Sequence, residues 1–288
     1  MEAPGLATLA RDWQWRPDVA LVLLLLGVAY VRGFVRLRRQ GGPAGAPAWR
    51  LAAYLGGLAT VALALFSPID ALAHVLFAAH MVQHQLLIMA AAPLLLLANP
   101  FPFVMWAIQP GRRRAIRRWL TARSALRRAL RTVTWPPVAG LVYTIALWAW
   151  HVPAAYEAAL AHPVTHDLEH LSFFGAAVVF WWPVVNPAPR SRGPRGGLYY
   201  GVRIAYLVLA TAQNTLLGAL LGLTERVLYP SYARDSGLFG LSPLDDQALG
   251  GGIMWSGGHM YLIAILVLLA QAMAGEQDRQ PAEPIPPA

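Results

Sequence analysis

This 288-residue chain contains no cysteine, and its 23 basic residues are all arginine, with no lysine among them. Without thiols it can form no disulfide, no thiolate metal site and no cysteine nucleophile. Any metal it holds must be met by nitrogen, oxygen or thioether. Charge of either sign is scarce: Asp, Glu, Lys and Arg make up 13% of residues, hydrophobic residues make up 57%, and the mean hydropathy is +0.46. Soluble domains are about one-quarter charged, so a soluble fold is excluded. No internal repeat and no long polar stretch offers room for a separate soluble domain. The first apolar run starts late and is followed by Val31-Arg32-Gly33 rather than a small-x-small cleavage site, which predicts a retained anchor.

What the chain has in abundance is apolar runs near the length that crosses a bilayer as a helix. Seven are expected, at 18–35, 51–66, 75–98, 136–152, 166–185, 200–223 and 252–273. The fourth and fifth need flanking Trp, Pro and His residues to reach full length. These runs predict an all-α polytopic membrane protein, a single seven-span domain over 1–275, with a Pro-rich, disordered tail at 276–288. Trp135, Trp148, Trp150, Trp181, Trp182 and Trp255 fall near span ends, as an aromatic belt would place them.

The net charge of +9 is unevenly spread. Arg32, Arg36, Arg38, Arg39 and Arg50 follow the first run. Nine arginines from Arg112 to Arg131 separate the third and fourth, and Arg190, Arg192 and Arg195 separate the fifth and sixth. Arginine-rich short loops stay in the cytoplasm, which predicts an outer N-terminus and a cytoplasmic C-terminus. The juxtamembrane position of these arginines points to anionic lipid and away from nucleic acid. Arg112–Arg131 is expected as one amphipathic surface helix, with Ile116, Trp119, Leu120, Leu126 and Leu130 on its apolar face. On the other side, the segment from Thr224 to Gly251 is expected as the longest outer loop, ending in a Gly250-Gly251-Gly252 turn.

All eight histidines fall in or beside the outer halves of the expected spans. Four make His-x-x-x-His pairs, His80/His84 and His166/His170, and residues four apart on a helix share one face. Each pair can offer two imidazoles to one ion. Spans 3 and 5 carry their pairs at similar depth, and span 7 places His259 at that depth too. Ionisable groups inside a membrane are costly and usually functional. His74, His151 and His162 stand singly, where interhelical bonding or interfacial exposure explains them as well.

Imidazole suits copper, zinc and iron, and with no thiolate present copper fits best. The expected metal ligands are His80, His84, His166 and His170, with Gln83, Asp167, Glu169, Asp246, Gln247 and His259 as supporting or additional groups. Other readings stay open. His166-Asp-Leu-Glu169-His170 matches the H-x-x-E-H pattern of zinc peptidases, with Glu169 as base. A haem could be held by one histidine from span 3 and one from span 5. A scaffold with no metal is the remaining possibility.

Several ordered blocks carry a resemblance over residues 50 to 275. They are His80-Met-Val-Gln-His84 with Ala92-Pro93, Trp150-His151-Val-Pro-Ala-Ala-Tyr156, His166-Asp-Leu-Glu-His170 with Phe180-Trp-Trp-Pro183, Tyr229-Pro-Ser-Tyr232, and Asp246-Gln247 leading to Gly251-Gly-Ile-Met-Trp255. Together they resemble the multi-span CtaG-type cytochrome c oxidase assembly factors, associated with caa-type oxidases. The resemblance implies a seven-helix plasma (inner) membrane protein, needed to form active oxidase, that helps copper reach its site; a metal-handling role ahead of a catalytic one is expected. Its implied partners are oxidase subunits or copper chaperones. His259 departs from the family pattern.

Overall fold

The computed structural model describes residues 13, 15–119, 121, 124–187, 197–234 and 240–277, and shows no strand among them. Arg190, Arg192, Arg195, Leu120, Asp235 and the tail from 278 lie outside the described residues. Proline punctuates the chain: eight described helices begin on one. There its missing N–H is one that a first turn leaves unbonded anyway, and its fixed φ suits the helix.

The long helices are α1 (Pro17–Gly45) and α2 (Ala48–Phe66), followed by the single-turn α3 (Pro68–Ala73). The next span is α4 (Phe77–Gln85), a π-helical turn (Leu86–Ala91) and α5 (Ala92–Leu97) in unbroken succession. Short α6 (Pro100–Ala107) packs on α1, and α7 (Pro110–Trp119) and α8 (Ala125–Val133) follow. Then come α9 (Pro136–Trp150), α10 (Pro153–Ala161), α11 (Pro163–Val185) and α12 (Gly197–Leu223). A 3-10 turn (Pro230–Arg234) precedes α13 (Pro243–Gly257) and α14 (His259–Gln277).

Six stretches are long and apolar enough to cross a membrane: 17–41, 48–66, 77–97, 163–185, 200–223 and 243–273. The α9–α10 pair, bent by 72°, makes a seventh if both arms belong to one crossing. The protein is therefore an all-helical, multi-pass membrane protein. The largest apolar core lies between the α4–α5 span and α9, α11, α12, α13 and α14, and surrounds the histidine-bearing helices.

Several expectations need correcting. The fourth run ends as α9 at Trp150 and the chain bends into α10, which is not among the expected helices, because Pro153 has no N–H for the carbonyl of Ala149 and its ring disfavours helix at Val152. The 224–251 segment is not all loop. Ser242 starts α13 with a capping box that includes Asp245, so Gly250–Gly252 lie inside a helix. Arg112–Arg131 is two short helices rather than one. Three tryptophans near span ends also tie helices together. The indole N–H groups of Trp148, Trp150 and Trp181 donate to Gln213 Oε1, Ser172 Oγ and the carbonyl of Ile88.

The π-helical turn has a local cause. A helix in π register bonds each N–H five residues back, as Ala92 does to the carbonyl of Leu87. Pro93, next in line, has no N–H for Ile88, and Trp181 of α11 supplies the missing donor at 2.9 Å. The span that carries His80 and His84 is thereby fixed to the helix that carries His166 and His170.

Candidate metal centre

Three helix starts converge at one end of the bundle. α4 brings His80 and His84, α11 brings His166, Glu169 and His170, and α13 brings Asp246. Asp246 is fully buried, and its two carboxylate oxygens accept the N–H groups of Phe77 and Ala78, at 2.8 and 3.0 Å. A carboxylate is favoured there because the first turn of a helix leaves its N–H groups unbonded and carries positive partial charge. α4 thus starts at a fixed point, and His80 and His84 follow one and two turns in.

The four imidazoles meet. Ring centres of His80 and His84 are 4.3 Å apart, as are those of His166 and His170. Across the helices His80 lies 5.2 Å from His166 and 5.8 Å from His170, and His84 lies 5.4 Å from His170. Glu169 is fully buried and enters the same space, with Oε2 3.8 Å from His80 Nε2 and Oε1 3.9 Å from His84 Nε2. Two sets, His80/His84/His170 and His80/His166/Glu169, have donor atoms within 4.8 Å of one another.

Those donors are otherwise unused. Nε2 of His80, His84, His166 and His170, and both Glu169 oxygens, are buried with no hydrogen-bond partner. Buried polar groups are nearly always paired, and leaving one unpaired costs about 1–3 kcal/mol. A convergent set of this kind is the arrangement that a cation completes.

The far side of His80 shows which nitrogen faces the centre. Its Nδ1 is 2.8 Å from both Tyr232 Oη and Tyr156 Oη, and those hydroxyls are 3.2 Å apart. Tyr232 also donates to the carbonyl of Ala73 at 3.1 Å. Burial pushes the Tyr232 hydroxyl well above its ordinary pKa, so it remains a donor. Both hydroxyls hold Nδ1, so Nε2 is the nitrogen turned to the Glu169 carboxyl, 3.8 Å from its Oε2.

Between residues 28 and 275 the sequence matches the family described as cytochrome c oxidase caa3 assembly factor. The chain belongs to that family. Similar proteins of Mycobacterium leprae and Mycobacterium bovis, both described as uncharacterized, are 24% and 27% identical over 96% and 97% of the chain. The match occupies 42% of each relative, so the chain spans less than half of their length. No solved structure matches.

Other residues that the sequence singles out take different places. In this caa3 assembly family member Gln83 turns away from Glu169, its amide donating to Asp70 Oδ1 at 2.6 Å and to the carbonyl of Ala64 at 2.8 Å. Asp167 is on the surface, paired with Arg16 at 2.9 Å. Gln247 bonds the backbone of Leu228, Leu221 and Arg226 and so holds the segment leading to Tyr229 and Tyr232. His259 is exposed at the start of α14, with Nδ1 at the carbonyl of Ser256 near the end of α13, apart from the cluster.

Tyr156 and Tyr232 are the functional residues that reasoning from spacing missed. Both sit in the quoted family blocks, which is where the signal lay. His151, a further block residue, is buried with Nδ1 bonded to the Leu147 carbonyl, and Phe173 lies beside both it and His84. Ser231 bonds Glu157 through both its N–H and its hydroxyl, which pins the 3-10 turn over the tyrosines.

Proposed function

We propose that the protein is an assembly factor for caa3-type cytochrome c oxidase that carries copper as cargo in the His80/His84/His166/His170/Glu169 cluster. The cluster would lie towards the extracytoplasmic face of the plasma membrane, and the client would be an oxidase subunit or a copper chaperone. The observation that carries the reading is the convergence of unpartnered donors, with His80 Nε2 facing the Glu169 carboxyl at 3.8 Å. Two donors bound to one ion at about 2 Å each sit about 3–4 Å apart, so the gap has the width a metal would fill.

The donor chemistry supports copper over softer choices. Nitrogen and carboxylate oxygen suit a cupric ion, whereas cuprous ion prefers sulfur. Met81, adjacent to His80 in sequence, packs against Gly250 of α13. The cluster also fits the needs of a carrier: its ligands come from two helices and its edge reaches the surface at His166 and Asp167.

A zinc hydrolase is the second reading, favoured by Glu169 lying between imidazoles in an H-x-x-E-H segment. The test is oxidase activity in membranes of cells whose own copy is replaced by His80→Ala/His84→Ala. Loss of caa3-type activity supports the copper reading, and unchanged activity overturns it. Stoichiometric zinc with hydrolysis abolished by Glu169→Gln would establish the second reading instead.

A further inference from the structure

His74 stands outside the cluster and yet touches it. It closes α3, exposed, with its ring centre 5.2 Å from that of His166. From His166 the imidazoles continue inward, to His170 at 4.3 Å and His80 at 5.2 Å, and from His80 to His84 at 4.3 Å. Exposure is lower inward: His74 is exposed, His166 and His170 stand at 8% and 7%, and the inner pair, His80 and His84, at 0% and 3%. Two imidazoles on one tetrahedral ion have ring centres about 5 Å apart, given metal–nitrogen bonds of about 2 Å. Each step along the line is one that a shared ion can bridge.

The surroundings of His74 favour a cation. Asp70 lies one helical turn earlier, close enough for the charges of His74 and Arg16 to act on it. Asp167 and Asp18 both bond Arg16, which faces the same opening. Three carboxylates against one guanidinium leave the mouth negative, and such a field raises the local concentration of cations and their rate of arrival.

We infer that His74 and His166 form an outer docking position through which a copper ion passes to, and returns from, the buried cluster. The inference rests on the copper reading of that cluster. Passing from ring to ring lets the ion shed water while it always keeps a ligand, which avoids the heavy cost of a bare charge in an apolar interior. His74 acts in transit and holds no ion in the resting state. That role has a kinetic signature. A group that lies only on the path slows loading and release by the same factor and leaves the affinity alone.

The test uses the full-length protein in detergent, freed of metal and mixed rapidly with copper(II) sulfate, with tryptophan fluorescence as the readout. Release is followed by transfer to a chelator, and affinity by competition at equilibrium. Wild type, His74→Ala, His74→Gln and the remote His259→Gln are compared. The expected result is loading and release both slowed about tenfold in the two His74 variants, the low end of the effect seen when a residue supporting a metal site is lost. Affinity and stoichiometry stay at the wild-type level, and His259→Gln matches wild type throughout. Unchanged rates in the His74 variants overturn the relay while the buried site stands. A loss of affinity with the loading rate intact also overturns it, because His74 would then belong to the resting site. Wild-type protein that takes up no copper removes the cluster reading itself, and the relay with it.

Discussion

His80 is the residue on which the other parts of the site depend, because its two nitrogens face different chemistries. Nδ1 is held by Tyr156 and Tyr232, and Nε2 is aimed at Glu169. Removing one hydroxyl, in Tyr232→Phe, takes away one of the two groups that hold Nδ1 and frees the ring to turn. The expected effect is copper affinity lower by about 10- to 100-fold, measured by chelator competition. Affinity equal to wild type would show that the tyrosines only pack. Asp246 acts one step further back, through the two backbone N–H groups at the start of α4. Asp246→Ala leaves both buried without an acceptor, and should lower stability by about 2 kcal/mol in a denaturation series. A variant as stable as wild type would show that water takes over the cap. The pairing of histidines four apart was legible in the sequence because helical periodicity alone puts them on one face. The tyrosines were not, since nothing local says that Tyr156 and Tyr232, 76 residues apart, share one ring nitrogen.

At the level of elements, apolar length and proline placement made the spans readable, whereas helix breaks and helix starts depended on neighbours. The bend after Trp150 follows from Pro153 and could be anticipated. The π-helical turn could not, because it is completed by Trp181 from another helix. Trp181→Phe removes the donor to a buried carbonyl and should cost about 1–3 kcal/mol, read as a lower thermal midpoint. An unchanged midpoint would mean that the π register does not need the indole. The three glycines at 250–252 read as a turn because glycine is the usual sign of one. Gly250 and Gly251 serve packing instead: a Cβ on Gly251 would lie 2.5 Å from the Gly222 nitrogen and 2.6 Å from the Gly218 carbonyl. Gly218 and Gly222 have the four-residue spacing that lets membrane helices approach closely. Gly251→Ala must push α13 from α12, and α13 carries the Asp246 cap. This variant should therefore lose copper affinity as well as stability. Lost stability with intact affinity would uncouple that helix from the site.

In the whole molecule, the cluster occupies the end of the bundle where α4, α11 and α13 begin, and among the described residues Arg36 and Arg113 lie beside α6, which follows the far end of the α4–α5 span. Arg36 there bonds the carbonyl of Ala107 at 2.8 Å, and Arg113 stacks on Trp106. If those arginines face the cytoplasm, the cluster opens outward, where an oxidase copper site would be filled. The central claim is nevertheless local: four imidazoles and one carboxylate form a single copper site. Its most direct test is elemental analysis of the purified protein after equilibration with copper, with wild type beside His80→Ala/His84→Ala. Near-stoichiometric copper in the wild type and almost none in the double variant is the predicted result. Copper-free wild type, or equal copper in both, would contradict it.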